Sequence, residues 1–101
     1  MLNQIVIVGR LEGLGDIKTG KNGKYCRAML ACPRTFKNAN GEYETDYVKV
    51  TLRGGVAEST KEYCRKGDTI GIKGRIESTK NGNTKLVADK VSFLSSNKES
   101  E

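Results

Sequence analysis

A ring and two cations alternate with apolar residues near the middle of the chain. Tyr47, Lys49 and Arg53 occupy odd positions, and the apolar residues between them are Val48, Val50 and Leu52. Successive side chains of a β-strand point to opposite faces, so a strand here carries Tyr47, Lys49 and Arg53 on one exposed face. Aromatic rings stack with unpaired bases and cations follow the phosphates. The pattern predicts a surface for single-stranded nucleic acid.

Further candidates flank this strand. Phe36 lies in a polar segment without an evident core role, and the cations beside it are Arg34 and Lys37. Lys73 and Arg75 occupy the outward positions of a later predicted strand. Each candidate has a structural alternative: a ring that closes the barrel edge for Tyr47, subunit packing for Phe36, and a solvated face for the cations.

The charge balance supports a polyanionic partner. The 101 residues contain 18 Lys and Arg against 12 Asp and Glu, a formal net charge of +6. Such an excess favours nucleic acid, although some small domains are basic for solubility alone. No apolar run is long enough for a membrane helix, and the first residues lack the layout of a signal peptide. We therefore expect a cytoplasmic, nucleoid-associated protein without a membrane partner.

Catalysis is not expected. The chain has no histidine, and its three cysteines, Cys26, Cys32 and Cys64, have unrelated spacings. These spacings argue against disulfides and against a zinc site. The cysteines are instead expected to be small, buried, apolar residues of the core. The aspartates are scattered and form no recognisable metal cluster or triad. We expect no catalytic residue, no metal and no cofactor.

The order of elements predicts an all-β fold. Strands are expected over residues 2–11, 24–32, 42–52, 69–78 and 86–94, with one helix over residues 56–66 between the third and fourth strands. This is the order of an OB-fold, a five-stranded Greek-key barrel. A single domain of residues 1–96 and a short polar, disordered tail of residues 97–101 follow.

Several finer expectations concern burial. Residues 13–23 are expected to form a flexible turn region, and Pro33 to limit the second strand. Tyr63 is placed on the core stripe of the helix, and Ile76 in the barrel interior. The first strand is apolar on both faces, which predicts a dimer contact through that strand.

The sequence resembles the bacterial and phage single-stranded DNA-binding proteins of the SSB type. The resemblance covers about residues 2–96. Its matching segments occur in the same order as in the family and at compatible spacings. They are LNQIVIVGRL at 2–11, PRTFKN at 33–38, GEYETDY at 41–47, VAE at 56–58, YCRKGD at 63–68 and KGRIE at 73–77.

This resemblance implies an OB-fold homotetramer that binds single-stranded DNA without sequence preference in replication, recombination or repair. Phe36 and Tyr47 match stacking positions, and Lys49 and Lys80 match basic positions. Arg53 stands where the family often has a third aromatic, and Asn81 where it may have a fourth. A guanidinium can stack and also contact phosphate. We therefore expect fewer stacked bases and a steeper salt dependence than in aromatic-rich members.

The C-terminal residues depart from the family pattern of a long linker with an acidic tip. Recruitment of other proteins through such a tip is therefore not expected. Alternatives remain open: a dimeric primosomal accessory protein of the OB type, or an RNA-binding OB module, which a 2′-hydroxyl preference would identify. A nuclease is the least favoured alternative.

Overall fold

The computed structural model describes residues 1–96, and the predicted tail at 97–101 lies outside the described residues. Six strands and one helix are present. In chain order they are β1 (Ile5–Leu14), β2 (Lys18–Gly20), β3 (Gly23–Lys37), β4 (Tyr43–Arg53), α1 (Gly54–Tyr63), β5 (Thr69–Ser78) and β6 (Thr84–Ser95).

Five of the strands close into a barrel. The sheet order is β1-β5-β6-β4-β3-β2, and an additional antiparallel pairing of β1 with β3 closes the ring. Every neighbouring pair is antiparallel except β4 and β6, which pair in parallel over Val50–Leu52 and Leu86–Ala88. The short β2 extends the β3 side outside the ring. The predicted five-stranded barrel with one helix between its third and fourth strands is confirmed.

The core fills the barrel and extends under the helix. Strand alternation supplies its members, and the largest fully buried side chains include Leu11, Leu30, Leu52, Ile70 and Ile72. The helix contributes Ala57, which is 0% exposed, and Cys64 follows it at 5%. Burial of these side chains stabilises the fold by about 25 cal/mol for each Å² removed from water.

A close strand crossing depends on one glycine. The register of β5 and β6 is irregular between Lys73 and Gly74, as at a β-bulge. A Cβ built on Gly74 would lie 2.0 Å from the carbonyl oxygen of Val87. Because that oxygen belongs to the backbone of β6, only glycine permits the two strands to approach this closely.

Several boundaries differ from the sequence prediction; β1, for example, spans Ile5–Leu14 and not residues 2–11. β3 continues through Pro33 to Lys37, because beyond Ala31 it pairs with β4 alone and its free edge tolerates a residue without an N–H. Part of the expected turn region is the strand β2, which pairs Lys18 with Tyr25. Local residue preferences do not reveal such a tertiary pairing.

Two predicted core residues are exposed. Tyr63 is 72% exposed, because the buried stripe set by Ala57 and Thr60 lies about 90° around the helix from position 63. Ile76 is 41% exposed, since β1 pairs with β5 only as far as Gly74. The Asn3 side chain contacts the backbone there, accepting from the Ile76 N–H and donating to its carbonyl oxygen. Both predictions of burial are wrong.

The helix also ends earlier than predicted. α1 finishes at Tyr63, and Cys64 adopts an extended conformation while its N–H donates to the Thr60 carbonyl oxygen at 2.9 Å. The chain then turns at Gly67, whose φ is 98°. The buried Asp68 carboxylate accepts a hydrogen bond from the Arg65 N–H at 2.8 Å, which holds this turn against the barrel.

The cysteines occupy largely apolar surroundings. Cys26 and Cys64 are buried and Cys32 is half-buried, and the thiols are free. Burial raises the pKa of all three thiols. Neutral thiols are poor nucleophiles. The predicted burial is confirmed for Cys26 and Cys64, and Cys32 is less buried than predicted.

Candidate nucleic-acid interface

The outward side of the β3–β4 hairpin carries the predicted ring and cations. We call this surface the hairpin face. The β3–β4 register pairs Ala31 with Tyr47, Met29 with Lys49, Arg27 with Thr51 and Tyr25 with Arg53. Paired residues share a face of the sheet, so these eight side chains point the same way. The interior positions of β4 are Val48, Val50 and Leu52, as predicted.

Tyr47 projects from this face and does not seal the barrel. Its side chain is 65% exposed, and the smaller Ala31 opposite it is buried at 2%. Lys49 follows on the same face and is exposed. Two neighbours in one row thus present a ring and a cation to solvent, which is the pairing that a base and its phosphate require.

The outer part of the hairpin adds two further rings. Phe36 is 65% exposed and Tyr43 is 61% exposed. The Lys37 ammonium lies 5.7 Å from the centroid of the Tyr43 ring, within the range of a cation–π interaction. The register is irregular between Pro33 and Lys37, so strand alternation does not fix the direction of Phe36. Apolar rings exposed to this extent on a small domain are typical of binding surfaces.

Arg34 lies on the opposite side of the hairpin. Its guanidinium donates to Asp46 at 2.9 Å and to Glu44 at 2.9 Å. The hydrogen bond with Asp46 raises the pKa of Arg34 and lowers the pKa of Asp46. Asp46 and Glu44 have the parity of the interior β4 residues, so this cluster does not share a face with Tyr47.

Arg53 and Arg75 are both paired with carboxylates. Arg53 donates two hydrogen bonds to Glu77, at 3.1 and 2.9 Å. Arg75 donates to Glu77 at 2.7 Å and also to Asp89. We call Arg53, Glu77, Arg75 and Asp89 the carboxylate network. The hydrogen bonds from Arg53, and to a smaller extent the one from Arg75, hold the pKa of Glu77 below its ordinary value of 4.5. Burial acts in the opposite direction.

The predicted lysines differ from the arginines. Within residues 1–96, Lys37, Lys49, Lys73 and Lys80 form no salt bridge. They do not form one cluster, however. Lys73 pairs with Val6 of β1 and Lys90 of β6, and Lys80 is exposed in the turn that follows β5. The hairpin face therefore contains Lys49 but not Lys73.

Sequence reasoning missed part of this face. Tyr25 and Arg27 lie in the same surface as Lys49, and the Arg27 guanidinium sits 5.6 Å from the centroid of the Tyr25 ring. Strand alternation alone places Arg27 and Met29 on one side of β3. The missing information was the register between β3 and β4, which joins that side to Tyr47.

Residues 1–96 offer neither a metal site nor a membrane-spanning helix. Residues 1–96 contain no group of three or more His, Cys, Asp or Glu side chains that could hold a metal ion. The single helix within that range is too short to cross a bilayer.

The amino-acid sequence matches a known protein family. The model of the Single-strand binding protein family matches residues 2–94. The chain belongs to this family. Single-stranded DNA-binding protein B of Bacillus subtilis is 40% identical over 93% of this chain and 91% of its own length. Single-stranded DNA-binding protein 1 of Clostridium acetobutylicum is 34% identical over 97% of this chain and 98% of its own.

A solved structure agrees with the fold. The small single-stranded DNA-binding protein from Streptomyces coelicolor superposes with a TM-score of 0.73 over 93% of this chain and 96% of that chain. Their identity is 17%, so this likeness concerns the fold. The predicted OB-fold and the resemblance to the single-strand binding family are confirmed, and neither the primosomal nor the RNA-binding alternative is favoured by these matches.

Proposed function

We propose that this member of the single-strand binding family binds single-stranded DNA without sequence preference through the hairpin face. The observation that carries the proposal is the exposed Tyr47 ring beside Lys49, a cation without a salt bridge in the described chain. A ring accepts any base because every base has a π-face, whereas the cation recognises the phosphate common to all nucleotides. Phe36 supplies a second ring at the outer end of the hairpin.

The predicted cations divide into three groups. Lys37 and Lys49 contact phosphates directly, and Lys80 and Lys73 bind outlying parts of a longer strand. Arg34, Arg53 and Arg75 contribute less, because each must exchange a carboxylate for a phosphate. Together these residues protect exposed single strands in replication, recombination or repair, which gives the protein a cytoplasmic, nucleoid-associated location. The proposal includes no catalytic step.

Titration with poly-dT tests this function, with intrinsic tyrosine fluorescence as the readout. Loss of one stacked base costs about 1–3 kcal/mol, or roughly tenfold in affinity, so Tyr47→Ala and Phe36→Ala should each weaken binding by that order. Tyr63→Ala is the matched control, since Tyr63 is comparably exposed but lies on the helix. If Tyr47→Ala and Phe36→Ala both bind poly-dT as tightly as the wild type does, the assigned site is wrong.

We also propose that the protein forms a homotetramer and that its dimers meet through β1. Val6 and Val8 are 71% and 56% exposed, and Leu94 beside them is 52% exposed. A Cβ on Gly71 would lie 3.6 Å from Leu94 and 3.9 Å from Val8, so these side chains share one outer patch. Residues 5–8 pair with β5 only, which leaves the other edge of that segment open to a second copy.

Sedimentation velocity distinguishes the assemblies. The wild type should sediment as a tetramer, and Val8→Asp should reduce it to a smaller species by burying a charge in the contact. Tyr63→Asp is the control, because it places the same charge at an exposed ring outside the patch. A wild-type dimer would support the primosomal alternative, and a Val8→Asp tetramer would exclude the contact through β1.

A further inference from the structure

A small basic cavity lies at the inner end of the hairpin face. Its volume is ≈ 240 Å³, and the turn between β2 and β3 forms one wall. We call it the turn pocket. None of its lining residues in the described chain is acidic, and five are basic: Lys21, Lys24, Arg27, Arg53 and Lys85. A concave site with charge of one sign attracts an anion more strongly than a flat surface does.

Most of this charge is uncompensated. Lys21, Arg27 and Lys85 form no salt bridge among residues 1–96. Lys24 contacts Glu58 at 3.4 Å, but both side chains are more than half exposed, at 59% and 54%. Such a pair is easily exchanged for a phosphate, because solvent screens its attraction. Of the five basic residues, Arg53 alone belongs to the carboxylate network.

An aromatic ring forms another wall of the turn pocket. Tyr25 is half-buried, and a Cβ on Gly20 would approach its Cε1 to 2.9 Å, so the glycine leaves room for the ring edge. The exposed Arg27 guanidinium lies over this ring. A planar guanidinium on an aromatic face offers its outer side to a base, and it can also turn toward a phosphate.

The turn pocket continues the surface already assigned to DNA. Tyr25 is paired with Arg53, six positions along β4 from Tyr47. At a rise of about 3.4 Å per strand residue, the two rings stand about 20 Å apart. A strand that stacks on Tyr47 and follows the hairpin face inward therefore reaches the turn pocket after several nucleotides, within the range of site sizes known for OB-folds.

We propose that the turn pocket binds one nucleotide unit at the inner end of the DNA path. Lys21 and Lys85 hold its phosphate, while its base stacks on the Tyr25–Arg27 pair. This inference rests on the proposed function and adds a site that only strands long enough to span from Tyr47 can occupy.

The test uses oligothymidylates of graded length, from about 4 to about 16 nucleotides, titrated against the full chain. Lys21→Gln combined with Lys85→Gln should leave the shortest strands unaffected and weaken the longest by about tenfold. The slope of log affinity against log salt should fall by about 0.7 on the long strands, because one phosphate is no longer neutralised. Lys66→Gln combined with Lys90→Gln is the charge-matched control and should alter the long-strand slope less.

A second measurement locates the base directly. Irradiation with 5-iododeoxyuridine in long strands should give a crosslink at Tyr25, and Tyr25→Phe should bind as the wild type does while Tyr25→Ser loses affinity for long strands only. The proposal for the turn pocket is overturned if the Lys21/Lys85 variant and its Lys66/Lys90 control lose equal affinity for long strands and no crosslink forms at Tyr25. If the wild type fails to bind poly-dT at all, the proposed function itself is wrong.

Discussion

Two hydrogen bonds, at 3.1 and 2.9 Å, join the guanidinium of Arg53 on β4 to the carboxylate of Glu77 on β5. Arg53 occupies a position where the family often has an aromatic residue, and its guanidinium was expected to stack on a base or to contact phosphate. The pair changes that interpretation. Arg53 is held in a fork geometry by a carboxylate, so it is less available to stack or to bind phosphate.

Glu77→Gln should therefore strengthen DNA binding. Removing the carboxylate charge frees Arg53, and with it one bond of Arg75, for phosphate contact. We expect a several-fold gain in affinity at low salt and a slope of log affinity against log salt steeper by about 0.7 for one added phosphate. Fluorescence titration at three salt concentrations measures both. Glu62→Gln on the exposed side of the helix removes the same charge elsewhere, and an equal gain there would contradict a specific role for Glu77.

The same residue gives stability a pH dependence. The pKa of Glu77 is lowered in the folded protein, mainly by Arg53, so its contribution is fully present above about pH 4.5 and is lost as the pH falls through the folded value. Glu77→Gln should cost about 1 kcal/mol at neutral pH and progressively less in acid. Urea unfolding between pH 3 and pH 7 tests this. A difference between wild type and variant that stays constant over that range would exclude the ion pair as its cause.

Gly74→Ala should be severely destabilising. The new Cβ would lie 2.0 Å from the Val87 carbonyl oxygen, and a backbone atom cannot move aside without opening the β5–β6 register. We expect a loss of more than about 3 kcal/mol, or failure to fold. Gly55→Ala is the control: nothing lies within 4 Å of its Cβ, and alanine is the better helix former by up to about 1 kcal/mol. Circular dichroism during thermal unfolding compares the two.

Thr60→Val should stabilise the protein. Thr60 is 2% exposed, and its hydroxyl has no hydrogen-bond partner within the described chain. Valine has the same shape without a polar atom to desolvate, so we expect a gain of about 1 kcal/mol in the free energy of unfolding. Thr60→Ser keeps the hydroxyl and leaves a small void, which should lower stability. If the valine variant unfolds more easily than wild type, the hydroxyl has a partner after all.

Sequence alternation predicted the barrel and the orientation of Tyr47 and Lys49, because a strand with one buried face dictates where each side chain points. It failed where a neighbouring element decides the outcome. Ile76 has inward parity yet lies beyond the end of its pairing with β1, and Tyr63 is displaced from a helical stripe that only packing defines. The salt bridges from Arg34 to Glu44, from Arg53 to Glu77 and from Arg75 to Asp89 join residues at least ten positions apart, which alternation along one strand does not bring together.

The parallel contact between β4 and β6 involves only three residue pairs, yet it joins positions 36 apart in the chain, as for Val50 and Leu86. The hairpins on either side are local and form quickly, whereas this seam requires a long loop to be closed first. It is therefore expected to be the last part of the barrel to assemble and the first to open. Within residues 50–52 and 86–88, the amide protons shared between β4 and β6 should exchange faster than those shared between β3 and β4, and that difference would reveal the opening of the seam.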